Sequence, residues 1–188
     1  QKGTVCKTIW YRTEVGDTQE GTRDLKSVFG KAGMFTNPKP IRLINRILDI
    51  ASKNNSIVLD FFAGSGTTGH ALLKYNAEHA DSKRQFILCT NNENDICRNV
   101  TYERIKRVIA NEGYNASLKY FRVGYISITD RMYYEYADEL LLHVRELVEL
   151  ENGINFTGNA EIAIILSEEE LEGFMENAVN LSQCCKLY

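Results

Sequence analysis

Proline is nearly missing from this chain. Its 188 residues hold only two, Pro38 and Pro40, both inside "TNPKP". Proline-rich linkers and polyproline segments are therefore excluded. The tight pair of breakers instead marks one boundary, between a polar region carrying Gly16, Gly21, Gly30 and Gly33 and the regular part that follows. Long apolar runs are missing too: none approaches the roughly 20 residues that cross a bilayer as a helix. The opening stretch "QKGTVCKTIWYRTEVGD" has no apolar core of the kind a signal peptide carries. With 44% hydrophobic and 25% charged residues, the chain reads as a soluble globular protein without a membrane partner. The five cysteines form no C-x-x-C pair. Cys89 and Cys97 sit among apolar neighbours, as small core thiols do in a reducing, cytoplasmic setting. No basic excess exists either. Lys and Arg number 22 against 25 Asp and Glu, for a net charge of −3. A stand-alone nucleic-acid binder usually carries such an excess, so any DNA contact must be local or supplied by other segments. The three histidines, His70, His79 and His143, lack Cys or carboxylate partners at ligand spacing, which speaks against a metal site.

What is there has α/β rhythm. In "IRLINRILDIA", Ile41, Ile44, Leu48 and Ala51 share one helical face, with Ile47 beside them. Pro40 suits the first turn of that helix, where its missing N–H costs nothing. "SIVLDFF" (56–62) and "RQFILCTN" (84–91) read as buried, parallel-type strands. "TTGHALLKYNAEH" between them reads as a helix. A second helix follows over 93–113, striped by Cys97, Val100, Ile105, Val108 and Ile109 and stopped by Gly113. Helix, strand, helix, strand, helix over 40–113 is a βαβ unit with flanking helices. Beyond it, 117–128 reads as a strand. The stretch 130–153 reads as one long helix with Tyr133, Ala137, Leu140, Val144 and Leu147 on one side. "AEIAIILS" (160–167) is a strand, and Ser167 with Glu170 forms a capping box for a helix lined by Leu171, Phe174, Met175 and Ala178. A second strand-helix-strand thus begins near 160. A start at Gln1 and an end at "CCKLY", which looks mid-strand, suggest a piece of something longer. The boundary falls near 128, giving a unit over 1–128 and an α/β extension over 129–188.

The chemistry concentrates in "IVLDFFAGSGTTGHALL". Gly64, Gly66 and Gly69 spell G-x-G-x-x-G, and Gly64 to Gly69 is also the G-x-x-x-x-G frame of a phosphate loop. That loop needs Lys and then Ser or Thr after its second glycine; His70 and Ala71 stand there, with neither the charge nor the Mg²⁺ ligand. A dinucleotide turn survives longer, because a strand precedes the glycines and a helix follows them. Glycines permit the tight turn and close approach of a ligand to backbone, and the helix N-terminus offers N–H groups to an anion. Asp60 at the end of the strand does not help bind pyrophosphate. It suits a cation or amine donors, which S-adenosylmethionine presents as sulfonium and ammonium beside a carboxylate for the helix N-terminus. A glycine turn serving packing alone remains the bland alternative.

"NPKPIRLINRIL", then "IVLDFFAGSGTTGHALL" and "RQFILCTNNEN", resembles the amino-methyltransferases of DNA, in particular the adenine-N6 group with permuted motif order. It looks most like the modification subunit of type III restriction-modification systems. The resemblance covers about residues 7–125 and includes "IWYRTEVGDTQEGTRDLKSVFG", similar to the lead-in segment of such subunits. It implies a Rossmann-like, S-adenosylmethionine-dependent methyltransferase sheet, here partial. It also implies a cofactor site lined by Asp60, Phe61, Phe62, Ala63, Gly64, Ser65, Gly66 and Thr67. Lys39 and Pro40 match the family's Lys-Pro element near the methionine part of the cofactor. Phe61 stands where the family frequently has proline. The ribose-binding position matches Thr90, with Glu93 a few residues on.

The family's chemistry needs an Asp/Asn-Pro-Pro-aromatic motif to orient the target amine and stack the flipped base. "Asn-Pro-Lys-Pro" is not that motif. In the permuted order it lies N-terminal to the Lys-Pro element, so it is expected before Gln1. The resemblance therefore implies the cofactor-binding C-terminal part of a site-specific DNA adenine methyltransferase, inactive alone. Its expected partners are the N-terminal half of the same enzyme, DNA through the intact protein, and a restriction subunit. An NAD(P)-binding module and a non-catalytic interaction domain are the competing readings. Arg104, Lys106 and Arg107 read as a solvated basic face or a DNA-backbone contact. Tyr133, Tyr134 and Tyr136 read as helix packing, and His143 as structural or exposed.

Overall fold

The computed structural model describes residues 5–127, 129, 132–156 and 159–188. The chain divides into two compact units, Gln1–Tyr120 and Phe121–Tyr188. In the first, short helix α1 (Arg12–Val15) leads to α2 (Thr18–Phe29), α3 (Ile41–Ala51), strand β1 (Ile57–Asp60), α4 (Thr67–Glu78), β2 (Gln85–Leu88) and α5 (Glu103–Glu112).

The region ahead of "TNPKP", read from sequence only as polar and glycine-containing, is helical, and its signals are ordinary ones. Asp17 caps α2, its Oδ1 accepting from the Glu20 N–H at 2.9 Å, and Gly30 ends it in the left-handed conformation. The helix packs so closely that a Cβ on Gly21 would meet the Pro38 carbonyl oxygen at 2.2 Å. Pro40 is the residue that caps α3 rather than its first helical residue. The Asp24 carboxylate accepts from the Ile41 N–H instead, 3.2 Å away. Arg42 completes the tie, with Nε and Nη2 on the two Glu20 carboxylate oxygens at 2.7 and 2.6 Å.

β1 and β2 pair in parallel, Ile57 opposite Gln85 through Asp60 opposite Leu88, with α4 as the crossover. Leu48, Leu72 and Tyr75 form one core cluster with Val58 and Phe86 against it; Leu73, Ile105 and Val108 form another under Leu88. At the start of β2, Arg84 is buried and donates to Ser52 Oγ, the Ser52 carbonyl and Ser82 Oγ, while stacking over Tyr75. Both strands were expected to be buried on both faces, but they are not. Val58, Phe86 and Leu88 face the helices, whereas Ile57, Leu59 and Ile87 are exposed, as is Cys89 just beyond β2. The reason is that these helices cover one face of a two-stranded sheet. On α3, Ile41 and Leu48 are buried and Ile44 half-buried; Ile47 and Ala51 are exposed.

The helix expected over 93–113 is three pieces. A 3₁₀ turn (Glu93–Asp95) has Asn94 and Asp95 at positive φ, a π turn spans Cys97–Tyr102, and α5 ends at Gly113 as expected. No strand forms among the described residues of 117–127, since no neighbouring strand there supplies a hydrogen-bond ladder.

In the second unit the long helix is broken at His143 into α6 (Tyr133–Leu141) and α7 (Val144–Asn152), and His143 is exposed. The side chains of Tyr133, Tyr134 and Ala178 lie outside those described; Tyr136 is half-buried. β3 (Ile162–Ala163) is shorter than expected and pairs in parallel with β4 (Lys186–Leu187), with α8 (Glu168–Glu176) and α9 (Ala178–Gln183) between them. Ser167 caps α8 through the Glu170 N–H at 3.2 Å, but the Glu170 carboxylate turns to the Leu166 N–H. Of the face expected to be inner, Leu171 and Met175 are exposed. Val148 is the one buried hydrophobic residue among those described in this unit.

Candidate functional site

The end of β1 runs directly into the glycine turn. Hydrogen bonds from the Cys89 N–H to the Asp60 carbonyl and from the Ala63 N–H to the Cys89 carbonyl carry the ladder past the last strand residue. Asp60 and Thr90 therefore stand at adjoining carboxyl ends of parallel strands, the edge where ligands bind in open α/β sheets. The Gly66 N–H closes the turn on the Ala63 carbonyl at 2.7 Å, and Gly66 caps α4 at φ +73°.

The glycines are required by the chain itself. A Cβ on Gly64 would meet the Phe35 ring at 2.9 Å, and one on Gly66 the Thr101 carbonyl oxygen at 3.1 Å. One on Gly69 would meet Ile105 and Leu88 at 2.8 and 3.0 Å. The close approach expected of a ligand is here made by protein on these sides. The glycine spacing alone therefore says little about what binds, and the polar groups must decide.

Asp60 is half-buried and already engaged. Its Oδ1 accepts from the Phe62 N–H at 3.0 Å and its Oδ2 from Thr68 Oγ1 at 2.5 Å, which stitches the strand end to the first turn of α4. A carboxylate holds about four acceptor positions, so capacity for a further donor remains. Phe61 is exposed and Phe62 is 92% exposed, two large rings left in water beside the carboxylate. Ala63, Ser65 and Thr67 are buried. Thr67 Oγ1 donates to the Lys39 carbonyl at 3.2 Å, so backbone of the "NPKP" segment touches the first residue of α4 while the Lys39 side chain is exposed. Pro40 is buried. Thr90 is half-buried with its hydroxyl on the Asn91 carbonyl, and Glu93 is exposed, accepting from Asn91 at 3.4 Å.

Two residues that sequence reasoning misplaced or passed over hold the turn from behind. Arg104, expected on a solvated basic face or at a DNA-backbone contact, has none of its surface exposed. Its Nη1 donates to the Ser65 carbonyl at 3.1 Å, Ser65 Oγ at 3.4 Å and Thr67 Oγ1 at 2.9 Å; its Nε donates to His70 Nδ1 at 3.3 Å. Thr101, on the π turn, donates its hydroxyl to the Gly64 carbonyl at 2.6 Å. Two successive carbonyls of the turn are thus drawn toward α5. The signal was present: positions 97, 101, 104 and 108 recur at helical spacing on the apolar stripe. Burial lowers the Arg104 pKa to about 10, so the guanidinium stays charged near neutral pH. His70, buried next to that cation, is lowered to about 3, by burial first and by Arg104 second. Glu112 lies 3.6 Å from the other ring nitrogen, where it favours imidazolium. Arg104 prevails, because an Nε–H pointed at Nδ1 requires an unprotonated acceptor.

Of the remaining basic patch, Arg107 is half-buried, paired with Glu103 at 2.7 Å and stacked over Phe29. A cleft of about 700 Å³ lies there, with Lys31, Arg98 and Lys106 around Phe29, Met34 and Tyr102. His79 ends α4, stacked on Tyr75 at 4.0 Å. No group of three or more His, Cys, Asp or Glu positioned to hold a metal occurs among the described residues.

The profile of a DNA methylase family, the N6/N4 methyltransferases, matches residues 1–100. The chain belongs to that family. Its resemblance to type III modification subunits is upheld as well. Over 121 residues it is 38% identical to the Mod subunit of the type III restriction-modification enzyme StyLTI of Salmonella typhimurium, covering 58% of this chain and 18% of that one. Over 87 residues it is 44% identical to the EcoPI Mod subunit of Escherichia phage P1, covering 46% and 13%. The type II methyltransferase M.KpnI of Klebsiella pneumoniae is 32% identical over 85 residues, 45% of this chain and 20% of that enzyme. The matched stretch thus spans a fifth or less of each of these DNA methylase relatives.

Proposed function

We propose that this chain is the cofactor-binding part of a site-specific DNA adenine-N6 methyltransferase of a restriction-modification system, and that its glycine turn holds S-adenosylmethionine. The observation that carries the reading is the donor set at one strand edge. The N-terminal N–H groups of α4 and the buried Arg104 face the needs of a carboxylate, while Asp60 keeps acceptor capacity for an ammonium. Arg104 Nη2 is buried with no hydrogen-bond partner, so the site has positive character left over. These residues fit an amino acid-like ligand end; a pyrophosphate would meet the Asp60 carboxylate. Ala63 to Thr67 and Asp60 would hold the cofactor, with Lys39 and Pro40 behind them and Thr90 at the ribose. Exposed Phe61 and Phe62 would be covered in the complete site. Bound there, the cofactor supplies an electrophilic methyl group on its sulfonium.

We further infer that the β1–β2 sheet is part of a larger Rossmann-like sheet, since its bare face of Ile57, Leu59 and Ile87 matches a sheet covered on both sides. Residues 1–128 are read as the cofactor-binding part and 129–188 as an extension. DNA, an N-terminal half of the same enzyme and a restriction subunit are the proposed partners. A cytoplasmic location is proposed as well; separately, a helix long and apolar enough to cross a membrane is absent among the described residues.

Methyl transfer is the test. With tritiated cofactor and mixed-sequence DNA, the chain alone should give no protein-dependent counts, because no Asp/Asn-Pro-Pro-aromatic motif occurs in it. The same chain joined to a segment carrying that motif should give counts that S-adenosylhomocysteine suppresses. Turnover by the chain alone, or none by the joined protein, contradicts the proposal.

A further inference from the structure

Arg104 is a buried cation without an anion. No carboxylate among the described residues forms an ion pair with it. Asp24 is near enough to favour its charge, yet that carboxylate serves the Ile41 N–H. Its hydrogen bonds run to a carbonyl, two hydroxyls and a neutral imidazole, and Nη2 has no partner. An uncompensated buried charge is costly, and a protein stable without the pair would replace it with an apolar side chain. The charge is also aimed. All three Nη1 bonds go to Ser65 and Thr67, the residues on either side of the Gly66 cap of α4. The guanidinium thus lies directly behind a 12-residue helix N-terminus whose first N–H groups have no intrahelical partner. Thr101 and Arg104 donate to the Gly64 and Ser65 carbonyls, so the negative ends of two successive peptide units in the turn are already engaged by protein donors.

We propose that Arg104 is the specificity-determining charge of the cofactor site: fixed behind the glycine turn, it adds to the α4 N-terminus and selects a ligand that presents a carboxylate there. The proposal rests on the S-adenosylmethionine reading and assigns the methionine carboxylate as the missing counter-charge. Arg104 acts through the turn and touches no ligand, so it is a positioning residue. Two opposite charges separated by one layer of backbone, out of water, interact strongly enough to change affinity about tenfold or more.

The experiment compares S-adenosylmethionine with decarboxylated S-adenosylmethionine, by calorimetry on the full chain. Wild type should prefer the carboxylated ligand by about tenfold or more. Arg104→Met, of similar length and uncharged, should lose most of that preference by weakening S-adenosylmethionine alone. Arg104→Lys should restore a good part of it, because the charge returns without the fork of donors. A purely structural role would weaken both ligands equally and leave the ratio unchanged, which overturns the proposal. A second readout needs no substitution. The Arg104 guanidinium ¹⁵N resonances of wild type should shift with S-adenosylmethionine and much less with the decarboxylated ligand; equal shifts overturn the proposal. If wild type binds neither ligand, the cofactor reading itself fails. If it binds both alike, only the role of Arg104 fails.

Discussion

Gly66→Val is expected to abolish measurable S-adenosylmethionine binding, lowering affinity on the order of 100-fold or more, as a turn forced out of its binding geometry does. Gly66 sits at φ +73°, where an L residue costs about 1–2 kcal/mol and a β-branched one more. Its Cβ would also lie 3.1 Å from the Thr101 carbonyl oxygen, a backbone atom within the π turn. A flexible side chain could swing aside; the Thr101 carbonyl is backbone of the π turn, and the Thr101 hydroxyl is bonded to the Gly64 carbonyl of the same glycine turn. The turn must therefore reopen, taking the Ser65 and Thr67 contacts of Arg104 with it. Gly113→Val separates this from the general cost of a left-handed residue. Gly113 is at φ +67° with nothing within 4 Å of a Cβ. It should lower the melting temperature by several degrees, as about 1–2 kcal/mol does in a chain of this size, and leave cofactor affinity intact. Equal affinity losses in the two variants would remove the distinction.

Acid should destabilise the first unit through His70. The folded state holds this imidazole neutral down to about pH 3, whereas the unfolded chain protonates it near 6.5. Above pH 6.5 both states are neutral and the residue contributes no pH dependence. Between 6.5 and about 3 the unfolded state binds the extra proton, so stability falls as pH falls, by at most about 1.4 kcal/mol per pH unit. Across the window from 6.5 to about 3 the full effect is of the order of 5 kcal/mol. That is a large part of an ordinary domain's stability. Denaturant unfolding of the full chain and of His70→Gln at a series of pH values checks this. The variant should be weaker at pH 7, having lost a fitted ring, and should show a flatter curve below 6.5. Parallel curves would mean that other groups govern the acid transition.

The βαβ unit was legible because its signals are local. Apolar β-formers end at Asp60, glycines follow, and Gly113 stops α5 where its left-handed cap stands. The two-stranded sheet with a bare face was not legible, because an apolar strand looks the same whether one face or both are covered. The same limit explains 117–127, where strand-like residues form no strand among those described, and the break at His143, where an apolar stripe continues through a helix end. Arg104 was not legible because a charged side chain favours an exposed face, although residue 104 falls on the stripe shared with Cys97, Thr101 and Val108. Asn94 and Asp95 at positive φ carried no sequence signal beyond being residue types that tolerate it. At the site, the structure brings Asp60, the turn and the Lys39 backbone together. It also assigns the glycines to internal packing, so the weight of the cofactor reading moves from the glycine count to Asp60, α4 and Arg104.

One titration tests the central claim most directly. Calorimetry of the full chain with S-adenosylmethionine, S-adenosylhomocysteine and NAD should show saturable heat for one or both of the first two and none for NAD. Saturable binding of NAD, or no response to any of the three, would contradict the account.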